Sequence, residues 1–345
     1  MDQKQLTTLC YIESEDSYLM LHRVKKKNDM NQDKWLGIGG HFKEGESPEE
    51  CLLREAKEET GLTLTSFRFR GLVTFTSDAW PSEYMCLYTA WGYEGSLSQC
   101  EEGSLQWVKK ENIHSLNLWE GDKIFFQLLT DNHPFFSLKL SYKGNRLSGA
   151  CLDGKELELL DERDEMGEVT GRTQARLVMH RSGQLHGTAH VWLIRPNDKS
   201  GFDLLLQKRS KNKDAFPGCY DISSAGHLPA GWDYLPSAVR ELKEELGLEV
   251  SEKELHFAGV CRNEEKTEFH GKPFYNREIS QVFVCTLPVK EEELTLQKEE
   301  VEAVLWMDYE ECLKGMREEI FPHCLEWDEL YLVKKWAKKW LSQRC

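Results

Sequence analysis

Two short runs of charged residues contain side chains of a type that can bind divalent cations. Residues 54–59 read REAKEE and residues 240–245 read RELKEE. Helical residues three and four positions apart share a face, so each run gathers three carboxylates there. Clustered carboxylate oxygens suit Mg²⁺ or Mn²⁺, and such ions neutralise a diphosphate and activate water. A solvated acidic helix face is the alternative. The carboxylates are those of Glu55, Glu58, Glu59, Glu241, Glu244 and Glu245.

The two runs belong to a longer internal repeat. Residues 40–62 read GHFKEGESPEECLLREAKEETGL, residues 226–248 read GHLPAGWDYLPSAVRELKEELGL, and ten of 23 positions are identical at an offset of 186. This offset far exceeds the period of solenoid repeats and indicates two duplicated domains. Each copy opens with a Gly-His pair, where backbone can approach a ligand. His41 and His227 are candidate phosphate contacts, with capping of a loop as the alternative role.

The sequence marks a helix in each copy and strands around it. The Ser-Pro-Glu-Glu run at 47–50 begins a helix over 47–60 with a capping box, and Gly61 ends it. In the second copy Asp233 and Gly247 mark the two ends. Strands are expected at 6–12, 18–22, 70–76, 84–92, 190–194, 203–207, 256–261 and 280–287. Both halves are therefore of the mixed α/β class.

The first copy resembles the Nudix hydrolases, whose signature is G-x5-E-x7-R-E-U-x-E-E-x-G-U with U an apolar residue. The matching residues are Gly40, Glu46, Arg54, Glu55, Ala56, Glu58, Glu59, Gly61 and Leu62. The resemblance implies an α/β/α sandwich with a mixed sheet, hydrolysis of a nucleoside diphosphate linked to another group, and a divalent metal. That metal is Mg²⁺, with Mn²⁺ as the alternative.

The family's functional residues can be carried onto this copy position by position. The resemblance implies metal ligands at the Gly40 carbonyl and at Glu55, Glu58 and Glu59, one of which can also be the base for the attacking water. It implies an ion pair between Glu46 and Arg54 that fixes the loop against the helix. Glu102 lies where many members place a further ligand or base.

The first half resembles the MutT-type branch, which removes oxidised purine nucleotides, over residues 5–145. The segments that carry this resemblance are KWLGIGGH at 34–41 and LWEGDKIFFQLL at 118–129. By analogy Trp119 forms a wall of the base pocket and Asp122 binds the purine edge. A core position for Trp119 and a helix cap for Asp122 are the alternatives. Leu36 departs from the branch, since purine-sanitising members carry an Asn there.

The second copy fits the signature except at its first glutamate. Trp232 occupies that place, so Arg240 lacks its usual partner, for which Asp233 is a substitute. The carboxylates of Glu241, Glu244 and Glu245 are predicted metal ligands. The other matching residues are Gly226, Leu242, Gly247 and Leu248.

The surroundings of the second copy resemble the isopentenyl-diphosphate isomerase-like Nudix branch. True isomerases of this type carry a catalytic Cys where this chain has Ala225. The residues at or near the branch's metal-ligand positions are His186, His227, Glu278 and Glu300. His180 is near another ligand position but not in register. We interpret this half as an isomerase-like relative that hydrolyses a diphosphate. A non-catalytic module for substrate binding or dimerisation and an isomerase with rearranged chemistry stay open.

Composition limits the remaining classes of function. The length of 345 residues indicates two domains, which we place at residues 1–154 and 155–345. The formal net charge of −15 disfavours a polymeric nucleic acid partner. No apolar run is long enough for a membrane span, and we expect no signal peptide. Eleven scattered cysteines without C-x-x-C pairs favour free thiols in the cytoplasm.

The combined prediction is a cytoplasmic tandem Nudix hydrolase. Domain one converts an oxidised purine dNTP such as 8-oxo-dGTP to the monophosphate and pyrophosphate, and domain two is a second diphosphate hydrolase. The partner is a small-molecule nucleotide or another diphosphate, and a homodimer is left open. The hypothesis from another class is a nucleotide sensor, in which one or both domains bind without turnover.

Overall fold

The computed structural model describes residues 5–25, 30–213, 215–269 and 271–343. The chain divides into two units, of which the first comprises Met1–Leu159 with Gly171–Val178 and the second Leu160–Thr170 with Met179–Cys345. Each unit is thus made from two separate stretches of sequence. The division at residues 154 and 155 stays a prediction.

The first unit is built on a mixed sheet. Its elements are β1 (Gln5–Ser14), β2 (Ser17–His22), β3 (Trp35–Leu36), α1 (Pro48–Thr60), β4 (Thr63–Ser77), β5 (Glu83–Glu94), β6 (Ser104–Lys109), α2 (Asp122–Thr130), β7 (Phe136–Lys143), β8 (Arg146–Leu152) and β9 (Lys155–Glu156). The strand order is β3-β2-β1-β5-β4-β7-β8-β9, with β6 beside β2. β1 is parallel to β5 and β4 to β7, and β2 is antiparallel to β1.

Three elements follow at the division between the units, namely β10 (Leu159–Arg163), β11 (Val169–Ala175) and α3 (Arg176–Ser182). The second unit then contains β12 (His186–Pro196), β13 (Phe202–Arg209), β14 (Tyr220–Asp221), β15 (Ser224–His227), α4 (Tyr234–Leu246), β16 (Leu255–Phe269), β17 (Lys272–Cys285), β18 (Val301–Asp308), α5 (Tyr309–Arg317) and α6 (Trp327–Ser342). Its strand order is β14-β13-β12-β17-β16, with β15 beside β12 and β18 beside β13. Strands β12 and β17 are parallel, as β1 and β5 are. The second sheet therefore repeats the central topology of the first.

Each sheet is covered on both faces. In the first unit, Cys10 and Ile12 of β1 pack with Leu52 and Ala56 of α1, while Tyr11 packs with α2 on the opposite face. In the second unit, one face of β12 packs with α4 and the other with α5 and α6. Alternate strand residues point to opposite faces, which explains why one strand supplies two cores. The predicted α/β/α sandwich with a mixed sheet is confirmed.

The signature helices begin and end where the sequence predicts. At the start of α1, the Ser47 side chain accepts from the Glu50 N–H and the Glu50 side chain accepts from the Ser47 N–H. Asp233 caps α4, and both helices have 13 residues. Gly61 and Gly247 follow them at φ values of 76° and 66°, a left-handed conformation that favours glycine. Within the described residues, no helix combines the length and apolarity needed to cross a bilayer.

Candidate active sites

Arg54 connects the signature loop of the first unit to helix α1. Its Nε and Nη2 donate to the two oxygens of Glu46 at 2.6 and 2.8 Å, and Nη2 also donates to the His41 carbonyl at 3.0 Å. Its Nη1 donates to Glu55 at 2.5 Å and to Glu58 at 3.1 Å. The Arg54 hydrogen bonds lower the pKa of Glu46 to about 2. The predicted Glu46–Arg54 ion pair is present and has the bidentate geometry of strong arginine–carboxylate pairs.

Glu55 and Glu59 lie against the glycines of the loop. A Cβ built on Gly40 would be 2.6 Å from the Glu55 carboxyl carbon, so a side chain at position 40 would displace this carboxylate. Glu59 is 8% exposed and accepts from the Gly39 N–H at 2.9 Å. Burial, together with the charges of Glu102 and Glu55, raises the pKa of Glu59 to about 8. Crowded carboxylates of this kind are a donor set for a divalent cation.

Two predicted ligands of the first unit have other contacts. The Gly40 carbonyl accepts from the Thr8 N–H at 2.9 Å. The Glu58 side chain is 54% exposed and pairs with Lys43 at 3.4 Å as well as with Arg54. Glu58 is absent from the lining of the cavity that holds Glu55 and Glu59. Arg54 Nη1 thus lies between Glu55 and Glu58, and metal binding by Glu58 stays a prediction.

A cavity of about 510 Å³ brings the signature residues and the predicted base pocket together. Its volume lies within the usual range of small-molecule sites. The predicted site residues that line it are Gly40, His41, Glu55, Glu59, Glu102, Trp119 and Asp122. Glu102 is partly buried and accepts from Arg23 Nη1 at 2.6 Å. The apolar and aromatic lining includes Leu36, Phe75, Met85, Leu140 and Tyr142.

Trp119 is both a core residue and a wall of this cavity. It is 7% exposed, and its ring packs edge-on against Tyr142 with centroids 5.2 Å apart. Its Nε1 donates to Asn31 Oδ1 at 2.8 Å, and Lys34 Nζ lies 5.0 Å from the ring centroid. Sequence reasoning missed Asn31, because it lies in an irregular segment outside the segments that carry the resemblance.

Asp122 lines the cavity and does not cap a helix. It is the first residue of α2, the N-cap position belongs to Gly121, and no side-chain cap hydrogen bond is present. The alternative role of Asp122 as a helix cap is therefore wrong. Asp122 is 6% exposed, and burial raises its pKa to about 7 although the Lys34 charge opposes the shift. The cavity thus contains a carboxyl group that changes charge near neutral pH.

The arginine of the second signature has different contacts from those of Arg54. Arg240 pairs with Glu241, and with Glu244 at 3.2 Å, and its guanidinium lies 5.7 Å from the centroid of the Trp232 ring. The Asp233 side chain instead accepts from the Tyr234 N–H at 3.1 Å. The expected substitution of Asp233 for the missing glutamate is wrong, since this carboxylate caps α4. A cation–π contact with Trp232 lies where the first unit has an ion pair.

The carboxylates of the second unit otherwise repeat the first arrangement. A Cβ on Gly226 would lie 2.1 Å from the Glu241 carboxyl carbon. Glu245 is 5% exposed and accepts from the Ala225 N–H at 3.3 Å, as Glu59 accepts from Gly39. Burial raises the pKa of Glu245 to about 7. In both units, therefore, the first glutamate of the helix run lies against the glycine of the Gly-His pair. The last glutamate of the run is buried and accepts from the N–H of the residue before that glycine.

Three histidines meet in the second unit. The ligand atoms of His180, His186 and His227 all lie within 4.8 Å of one another. Glu278 Oε1 lies 3.9 Å from His186 Nε2 and 3.8 Å from His227 Nε2. Burial raises the pKa of Glu278, but the histidine charges outweigh it and lower the pKa overall. His227, predicted as a phosphate contact, belongs to this cluster.

Glu300 is separate from the histidine cluster. Its carboxylate contacts Lys213 Nζ, and its backbone carbonyl accepts from the Ser210 N–H at 2.8 Å. A metal-ligand role for Glu300 therefore stays a prediction. His180, whose spacing did not match the ligand pattern, is in the cluster because helix α3 turns it toward His186 on β12.

Comparison with known proteins gives consistent family matches. The NUDIX domain model matches residues 3–129 and 184–327. Nudix hydrolase 3 of Arabidopsis thaliana is 43% identical over 156 residues, which are 45% of this chain but only 20% of that protein. An uncharacterized Nudix hydrolase of Clostridium acetobutylicum is 34% identical over 165 residues, 48% of this chain and 77% of that protein. An oxidized purine nucleoside triphosphate hydrolase of Mus musculus is 30% identical over 111 residues, 32% of this chain and 71% of that protein.

Proposed function

Since this chain belongs to the Nudix hydrolase family and carries two NUDIX domains in tandem, we propose that its first domain hydrolyses an oxidised purine dNTP such as 8-oxo-dGTP. The products are the nucleoside monophosphate and pyrophosphate. The observation that carries this proposal is the single cavity lined by Glu55, Glu59, Trp119 and Asp122. The similarity to the mouse oxidized purine nucleoside triphosphate hydrolase supports the choice of substrate.

The donor set of the first domain fits Mg²⁺, with Mn²⁺ as the alternative. Glu55, Glu59 and Glu102 line one cavity, and Gly40 lets the backbone lie close to the Glu55 carboxylate. Hard carboxylate oxygens are the ligands that these ions prefer. A bound ion supplies neutralisation of phosphate charge and a lower pKa for an adjacent water. We propose that these three carboxylates hold it.

The other residues of the first domain orient the carboxylates and the base. Arg54 connects Glu46, the His41 carbonyl and Glu55, so it fixes the loop that carries Gly40 against α1. Glu59, buried beside Gly39, is the proposed base for the attacking water. The Trp119 ring supplies an apolar face for a purine, and the Asp122 carboxylate accepts from N–H groups at its edge.

The direct test is a substrate panel with the full-length wild-type chain. Pyrophosphate release is measured for 8-oxo-dGTP, unmodified dNTPs, sugar nucleotides and isopentenyl diphosphate, with Mg²⁺ and then with excess EDTA. We expect turnover of 8-oxo-dGTP that EDTA abolishes. Tight nucleotide binding without any turnover would assign the protein to the sensor class instead.

We propose that the second domain is also a diphosphate hydrolase. Its Gly226, Glu241 and Glu245 repeat the arrangement around Gly40, and Ala225 has no thiol for proton transfer by the route of the related isomerases. Three imidazoles within 4.8 Å suit a transition metal such as Zn²⁺ better than Mg²⁺. His180, His186 and His227, with Glu278, would hold that ion.

Metal retention tests the role of the histidines independently of any substrate. Full-length protein is incubated with Zn²⁺, dialysed and assayed by elemental analysis. We expect about one equivalent retained by wild type and at least a 10- to 100-fold weaker affinity in His180→Ala, because a ligand is lost. His256→Ala is the matched control, since His256 stacks on Trp336 outside the cluster. Equal retention by His180→Ala and wild type would contradict the assignment.

A further inference from the structure

Glu120 lies in the turn between Trp119 and helix α2, immediately beside the two proposed purine contacts. We propose that Glu120 is a positioning residue for this turn, and that residues 171–178 support the substrate site of the first domain through their hydrogen bonds to Glu120. The inference rests on the proposed function, because Trp119 and Asp122 are its base-binding residues. Glu120 itself need not touch the substrate.

All three oxygens of Glu120 accept hydrogen bonds from distant parts of the first unit. Its Oε2 accepts from the Leu147 N–H at 2.8 Å, and its Oε1 accepts from the Thr173 N–H at 3.1 Å. Its backbone carbonyl accepts from Gln174 Nε2 at 3.0 Å. A carboxylate that accepts from two backbone N–H groups makes stronger hydrogen bonds than a neutral acceptor. The turn is therefore held by β8 and β11 together.

The segment that supplies these donors is fixed in the core of the first unit. Thr173 is fully buried and its hydroxyl accepts from Arg146 Nε at 2.7 Å. Gln174 is 3% exposed, and its Oε1 accepts from the Ala175 N–H at 2.9 Å. Ala175 and Val178 belong to the same apolar cluster as Trp119. A rigid support of this kind is what a precise binding site requires.

The opposite side of the turn is equally constrained. The Gly121 N–H donates to the Tyr142 hydroxyl at 2.8 Å, and a Cβ on Gly121 would lie 2.6 Å from Leu140. Trp119 and Asp122 are thus held between β7 on one side and the Glu120 acceptors on the other. The first NUDIX match ends at residue 129, so Leu147 and Thr173 both lie outside the matched region.

Glu120→Gln in the full-length protein tests the proposal. The amide keeps the size of the side chain but replaces one acceptor oxygen by NH₂, which leaves a backbone N–H without its partner. We expect KM for 8-oxo-dGTP to rise about 10-fold, since an unsatisfied buried donor has a cost of that order, and kcat to change less than twofold. Glu111→Gln is the control, because the Glu111 side chain is 72% exposed and should leave KM unchanged.

Amide hydrogen exchange of the substrate-free protein provides the second measurement. In Glu120→Gln we expect faster exchange at Leu147, at Thr173 and in the turn 117–122, with exchange in α1 unchanged. A normal KM with unchanged exchange would overturn the proposal, as would faster exchange throughout the domain together with a lower kcat. If the wild type does not hydrolyse 8-oxo-dGTP, the proposed function fails, and the exchange pattern alone decides whether Glu120 anchors the turn.

Discussion

Replacing Glu59 by Gln will lower the rate of 8-oxo-dGTP hydrolysis about 10²- to 10⁴-fold and leave the fold intact. Gln has nearly the same size, and its side-chain oxygen can still accept from the Gly39 N–H. A neutral amide is also tolerated at a site where burial raises the pKa of Glu59 to about 8. The substitution therefore removes the ability of this group to ionise and to accept a proton, and little else.

Pyrophosphate release at saturating Mg²⁺ measures this effect, and thermal melting followed by circular dichroism checks the fold. Glu245→Gln is the matched control, because Glu245 occupies the same position in the second signature helix and is buried to a similar degree. We expect its 8-oxo-dGTP turnover to equal that of wild type. Near-normal turnover by Glu59→Gln would contradict the placement of the chemistry in the first domain.

Asp122→Asn will bind substrate less well and yet be more stable than wild type at pH 8. The folded-state pKa of Asp122 is about 7 because of burial, against 3.8 for an ordinary Asp. Between these two pKa values, Asp122 is protonated in the folded protein and ionised in the unfolded chain. The free energy of unfolding therefore falls as the pH rises through this window. Above it, the wild type bears the full cost of the buried charge. Asn, which never ionises, avoids that cost.

Urea denaturation at pH 8 and pH 5 measures the difference between the two proteins. Each unit of pKa shift corresponds to about 1.4 kcal/mol, so we expect Asp122→Asn to gain a few kcal/mol at pH 8 and much less at pH 5. Steady-state kinetics should give a KM about 10-fold higher or more at pH 8, because the ionised acceptor for the purine edge is absent. A variant less stable than wild type at pH 8 would show that the Asp122 carboxylate is stabilising.

Most of the signature could be predicted from the sequence because its interactions are local. The capping box of α1 lies within residues 47–50, and Arg54 reaches Glu55 and Glu58 along the same helix. The Glu46–Arg54 pair needed only the family spacing. The same locality explains why the two domains were recognisable from one repeated segment.

The parts that could not be predicted depend on contacts between distant segments or on side-chain direction. Glu58 pairs with Lys43, which lies 15 residues earlier in the chain, and helical spacing does not reveal that contact. Asp233 follows the position of the missing glutamate in sequence, but its carboxylate accepts from the Tyr234 N–H and caps helix α4. His180 joins its cluster only through the turn of α3, which residue spacing does not reveal.

The segments of the two units alternate along the sequence, and this affects the order in which the chain can fold during its synthesis. Ala175 and Val178 complete the core of the first unit, although the second unit has already begun at Leu160. A nascent chain therefore holds an unfinished first core until residue 178 has left the ribosome, well after the first NUDIX match has been translated. The first domain cannot reach its final packing before translation of the second has started.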